Sequence, residues 1–174
     1  MLFLSHAVVK FVFSPVQALI LPDLLDVESL LFLPHGLEVL AVVVLSGKAL
    51  PGLFAGSVLS SYFIWDITDL RLLVPWAIVE STTTWVVFEF LTALRINVFY
   101  ETVKDGLPRL QNILLGGLLS SVAHGFLISA LFEASGTPGS IAYTIIAITI
   151  GNCAGFLLCW YLVKLAFDGL GAKE

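Results

Sequence analysis

Charge is scarce in this sequence, and the scarcity excludes more than any motif does. Asp, Glu, Lys and Arg make up only 12% of the 174 residues, while 59% are hydrophobic and the mean hydropathy is +1.02. Soluble domains carry about 25% charged residues. A domain of ~150 residues still leaves roughly 30% of its surface in water, so a chain this apolar cannot cover itself with polar groups, and the bilayer is the expected solvent. Basic residues are the scarcer kind: eight Lys and Arg stand against thirteen Asp and Glu, with a net charge of −5 and a pI near 5.0. That balance excludes the basic surface a nucleic-acid partner needs. Cysteine is nearly absent as well. Cys153 and Cys159 lie six residues apart, about 240° around a helix, too far round to bridge, and are expected as buried apolar thiols. No HExxH, paired-cysteine motif, nucleophile elbow or phosphate-binding loop occurs. Metalloprotease, hydrolase and NTPase chemistry therefore has no carrier, and the expectation is a non-enzymatic protein without catalytic residues or a metal site.

What is present is apolar runs. At a minimum of ~17 to 20 residues per spanning helix, the chain holds about six helices and little else. The runs predict an all-α, polytopic transmembrane bundle forming a single integral membrane domain over 1–174, with spans near 5–21, 29–46, 50–65, 71–94, 110–132 and 141–167. The N-terminal MLFLSHAVVKFVF has no basic segment ahead of its apolar stretch. It reads as a first membrane segment and not as a cleaved signal. With both termini cytoplasmic, Lys10, Lys48, Arg95, Lys104, Arg109, Lys164 and Lys173 lie inside and Arg71 alone lies outside, a bias that fixes orientation. Omitting the short first span moves only Lys10. Between Arg95 and Arg109, the residues Ile96, Tyr100, Val103 and Leu107 follow helical spacing, which predicts an amphipathic cytoplasmic connector lying on the membrane surface.

Small residues recur every four positions at Gly52, Gly56 and Ser60, at Gly117, Ser121, Gly125 and Ser129, and at Gly151 and Gly155. In lipid, helices associate through close backbone approach, so these stripes are expected at helix contacts. The spacing does not say whether a stripe meets this chain or another.

Ionisable residues inside apolar runs are costly and are functional candidates by default. Counted from the outer end of each span at a rise of ~1.5 Å per residue, Glu38, Glu80 and His124 all lie ~13 Å deep, His35 ~9 Å and Asn152 ~17 Å. Thr83 and Thr84 continue the face of Glu80. Four helices thus bring polar groups to one level in the outer half of the bilayer. Two readings stand: a layer that holds a ligand, or hydrogen bonds that only tie helices together. Glu89, nine residues after Glu80, falls about 180° away on the other face and is expected to snorkel or meet a partner. Pro34, His35 and Gly36 together are read as an interruption of the second span that frees backbone groups near Glu38. His124 admits a cofactor reading: Ser120 and Gly125 leave room for a flat macrocycle, so a haem or chlorin ligated by its imidazole is an alternative to a plain interhelical hydrogen bond.

The stretch FLPHGLEVLAVVVLSGKALPGLFAGSVLSSYF, residues 32–63, resembles the opening of the first membrane-associated sensor domain family. There a Pro-x-Gly pair starts one helix, and a Gly followed by Pro-Gly-x-x-x-Gly starts the next. The matching positions are Pro34, Gly36, Gly47, Pro51, Gly52 and Gly56, less than a fifth of the chain. Members are membrane input modules of bacterial signalling proteins, with more spans and a cytoplasmic kinase or cyclase. The resemblance implies a bacterial inner-membrane sensing scaffold that acts through another polypeptide. The leading expectation is accordingly a subunit that holds a small ligand, lipid or cofactor in its polar layer and works through a membrane protein partner. An assembly subunit of a larger complex and a substrate-binding component of a transporter are the alternatives.

Overall fold

A computed structural model describes residues 1–20, 30–100, 110–135 and 141–171, with side chains at all of these except residues 20 and 167–171. The described residues form helices and short connections, with no strand among them. Helix α1 (Leu2–Val8) runs through a π-type turn (Val9–Phe13) into α2 (Ser14–Ile20) as one rod. The wide turn lies just before Pro15, which has no N–H to return to the preceding turn. Helices α3 (Leu33–Leu45) and α4 (Leu50–Phe63) are joined by a tight 3₁₀ turn at Ser46–Ala49. Then follow α5 (Leu70–Ala93), α6 (Leu110–Ala134) and α7 (Ile141–Gly171).

Four helical stretches are long and apolar enough to cross a membrane: Leu2–Leu19, Leu33–Phe63, Leu110–Ala134 and Ile141–Ala166. The second is folded back on itself. Ser46, at φ 50°, breaks the helix, and the ring of His6 lies 5.3 Å from Phe32 before α3 and 6.2 Å from Trp65 after α4. In a straight 31-residue helix those ends would stand about 45 Å apart. α3 and α4 are therefore antiparallel legs of a hairpin, each ~20 Å long against a hydrocarbon core of ~30 Å. α5 is long enough to cross, but Glu80, Glu89 and a run of Ser and Thr lower its hydropathy.

Three expectations need correction. Pro34 does not interrupt a span: it sits in the first turn of α3, where its missing N–H is one of the donors a helix start leaves unpaired anyway. Residues 30–32 ahead of it are not helical. Lys10 does not share an end of the bundle with Lys48, since its Nζ sits 5.1 Å over the ring of Trp65, at the far end of α4. Leu2 meets Gly56, midway along α4, so the first rod does not run the full length of the bundle. Finally, residues 96–99 are not helical, and Val98 and Phe99 are buried in the core instead of lying on a surface. The rest of that expected connector, residues 101–109, lies outside the described residues, as do Lys173 and the loop acids Asp23, Asp26 and Glu28.

One end of the bundle is an apolar core, where Val39, Val42, Phe88, Phe99, Ile113 and Phe156 pack together beneath the hairpin turn. The small residues decide how closely the helices cross. A Cβ on Gly117 would stand 2.5 Å from the Phe156 ring, and one on Gly125 would stand 2.5 Å from Thr149 Oγ1. One on Gly155 would overlap the backbone of Phe32, whose N–H donates to Gly151 O at 2.9 Å. Gly36 faces Gly155 in the same crossing, its missing Cβ 2.6 Å from Gly155 O. Ser121 is buried and donates back to Gly117 O at 2.8 Å. Gly52 is the exception: it is exposed, and nothing lies within 4 Å of where its Cβ would be. It makes no helix contact among the described residues.

Candidate functional site: a buried polar layer

Above the apolar core lies a layer of polar side chains. His6, His35, Glu38, Ser57, Glu80, Thr84, Ser120, His124 and Asn152 are each at most 4% exposed. They come from α1, α3, α4, α5, α6 and α7, so the layer is assembled by the bundle as a whole. The layer has two halves.

In the first half the groups are more nearly partnered, with His6 Nε2 alone lacking an aligned hydrogen bond. Trp65 Nε1 donates to His6 Nδ1 at 2.9 Å, which leaves Nε2 of that ring for the carboxylate of Glu80, 3.0 Å away. Ser57 donates to the other Glu80 oxygen. A chain of side chains thus links α1, α4, α5 and the residues after α4. Thr83 is buried and spends its hydroxyl on its own helix, donating to Val79 O at 2.6 Å.

In the second half the partners are missing. His35 and Glu38, three residues apart on α3, share one face. Their facing atoms, Nδ1 and Oε2, stand 3.4 Å apart, beyond the 2.7–2.9 Å of a charge-assisted hydrogen bond. The His124 ring on α6 packs edge-on against His35 with centroids 5.4 Å apart. One ligand-capable atom from each of His35, Glu38 and His124 lies within 4.8 Å of the other two. His35 Nδ1, Glu38 Oε1, Thr84 Oγ1, His124 Nδ1 and Asn152 Nδ2 have no hydrogen-bond partner. Native proteins pair such buried groups nearly always, so each one left unpaired calls for an explanation.

Next to His124 is a cavity lined by Trp65, Trp76, Glu80, His124, Ile128 and Asn152, with about 30 Å³ open to water centres. One water needs roughly 10–15 Å³ on this measure. The cavity therefore suits an ion or a few waters and, without repacking, is too small for the haem or chlorin considered at His124.

The structure thus brings together His35, Glu38, Glu80, Thr84, His124 and Asn152. Glu89 is exposed and faces away from them. Three members were not singled out by sequence: His6, Ser57 and Trp65. The signal for His6 was available, because it is another ionisable residue inside an apolar run. Trp65, ending an apolar run, carried only the general signature of an interface aromatic. No family model, curated protein or solved structure matches the chain.

Proposed function

We propose that this chain is a non-enzymatic, sensor-like membrane subunit that holds a small polar ligand in the open half of its polar layer and signals occupancy to a partner protein. One observation carries the reading: five unpartnered polar atoms on four helices, all buried, two of them on residues, His124 and Asn152, that line a small cavity. A polar group left unpaired in a membrane interior costs free energy, and a ligand that supplies the partners removes the cost. Because the five unpartnered atoms are buried between helices, occupancy is read out as a shift of those helices, which suits action through a partner.

In this reading six segments insert in a bacterial inner membrane, with the hairpin turn and the end of α7 on the cytoplasmic side. Lys48, Arg95 and Lys164 mark that side, while Lys10 and Arg71 mark the other. The short legs reach the interface because Lys48 snorkels from the turn.

The test is mass spectrometry of the intact assembly, released gently from membranes. The expected result is a bound small species that disappears in His124→Ala, together with a partner polypeptide. An assembly with no retained species contradicts the reading and supports the assembly-subunit alternative, which the hydrogen bonds linking Trp65, His6, Ser57 and Glu80 also favour. An ATPase as the partner would point to a transporter component instead.

A further inference from the structure

We propose that the ligand is a divalent first-row transition-metal ion, most simply Zn²⁺, held by His35, Glu38 and His124. The proposal rests on the ligand-holding reading above and adds the identity of the ligand.

The proton inventory points to a cation. Ser120 has one hydroxyl proton and donates it to Gly117 O at 3.0 Å. Its oxygen lies 3.2 Å from His35 Nε2 and, in the tautomer that keeps the ring proton on Nε2, accepts that N–H, since a neutral imidazole carries one N–H and one lone pair. The lone pair falls on Nδ1, the atom facing Glu38 Oε2 at 3.4 Å. In that tautomer two electron-rich atoms face each other in a buried site. A shared proton would draw them to about 2.7–2.9 Å. Two ligands of one tetrahedral ion, each bonded at ~2.0–2.1 Å, stand about 3.3 Å apart. The observed gap matches the ion and not the proton.

The donor set selects the class of ion. Two imidazole nitrogens and one carboxylate oxygen suit zinc and its neighbours, whereas magnesium and calcium require oxygen-rich shells. Ser120 orients His35 in the way hydrogen-bonded partners orient metal-bound imidazoles. Separations of up to 4.8 Å within the triad require its side chains to draw together on binding. Charge closes too: among the described residues the carboxylates of Glu38 and Glu80 face histidines, and a dication balances both carboxylates when the imidazoles are neutral. The sequence alone gave no such expectation, because His35 and Glu38 lie 86 or more residues from His124 and match no linear metal motif.

The experiment uses the full chain without an affinity histidine tag, stripped with chelator in detergent micelles and titrated with Co²⁺ and then Zn²⁺. The expected result is one Co²⁺ per chain with the visible ligand-field absorption of a tetrahedral site, displaced by Zn²⁺. Glu38→Gln and His124→Ala should each weaken binding at least 100-fold. Ser120→Ala, which removes no ligand, should weaken it about 10- to 100-fold and shift the Co²⁺ band, a change that a packing role alone would not produce. Absence of stoichiometric binding by the wild-type chain overturns the proposal, as does binding unaffected by all three substitutions. If metal binding fails while mass spectrometry finds a non-metal species lost in His124→Ala, the metal is wrong and the ligand-holding reading stands. If neither is found, both fail.

Discussion

The two halves of the polar layer are built from the same residue types, yet one leaves a single buried polar atom without a hydrogen bond and the other leaves five. Around Glu80, Ser57 donates to one carboxylate oxygen, Trp65 donates to His6 Nδ1, and His6 Nε2 stands 3.0 Å from the other oxygen, an ion-pair distance without hydrogen-bond alignment. Around Glu38, the nearest imidazole nitrogen stands 3.4 Å off, and Oε1 has no partner. The comparison teaches that burial of a carboxylate in a membrane bundle is not itself a functional signal. A nearly complete set of hydrogen bonds ties helices together, whereas a largely unmet set of the same groups marks where something else binds.

The comparison breaks most easily at His6. His6→Ala strips Glu80 and Trp65 of their shared partner, and we expect a loss of about 3 kcal/mol, the low end for removing one member of a buried pair. Thermal unfolding in detergent measures it, and a loss under about 0.5 kcal/mol, the scale of ordinary surface substitutions, would mean that this half ties nothing together.

A smaller effect is expected where the open half is positioned. Gly155→Ala forces a methyl group into the Phe32 backbone, pushing the start of α3 off α7 and carrying His35 and Glu38 away from His124. The expected cost is about 1–3 kcal/mol, accompanied by loss of Co²⁺ binding. Gly52→Ala is the control. Its Cβ meets nothing, so stability should hold or rise by up to ~1 kcal/mol from helix propensity alone, and a loss there would show that Gly52 meets another chain.

The smallest effect is expected at Trp65→Phe, which keeps the ring and deletes the N–H donated to His6. Hydrogen bonds between membrane helices average about 0.6 kcal/mol, and a loss of that size with Co²⁺ binding intact would assign Trp65 to the structural half.

Much of this layer is countable in the sequence. Helix rise alone puts Glu38, Glu80, His124 and Asn152 at one level, and the structure brings them together. Which of them pair is not countable, because that depends on the rotation of each helix about its own axis. His6 escapes the count because the first rod lies beside only part of α4, so its depth does not follow from the end of its span. Residues 30–32 are as apolar as a span interior, so Pro34 reads as a break in a helix when it is in fact the start of one. Gly52 and Gly56 share a stripe, yet only Gly56 meets a neighbour, Leu2, and spacing carries no information about what stands opposite.

The account's central claim, that the half around Glu80 is structural and the half around Glu38 is a site, is tested most directly by one matched measurement. Glu80→Met and Glu38→Met are compared by thermal unfolding of the chelator-stripped chain in the same micelles. Glu80→Met leaves His6 Nε2 and the Ser57 hydroxyl without a buried partner and should cost about 1–3 kcal/mol. Glu38→Met replaces a poorly partnered polar group with an apolar one of similar size and should leave stability unchanged or raised. Equal losses, or a larger loss at Glu38, would contradict the division on which the proposed site depends.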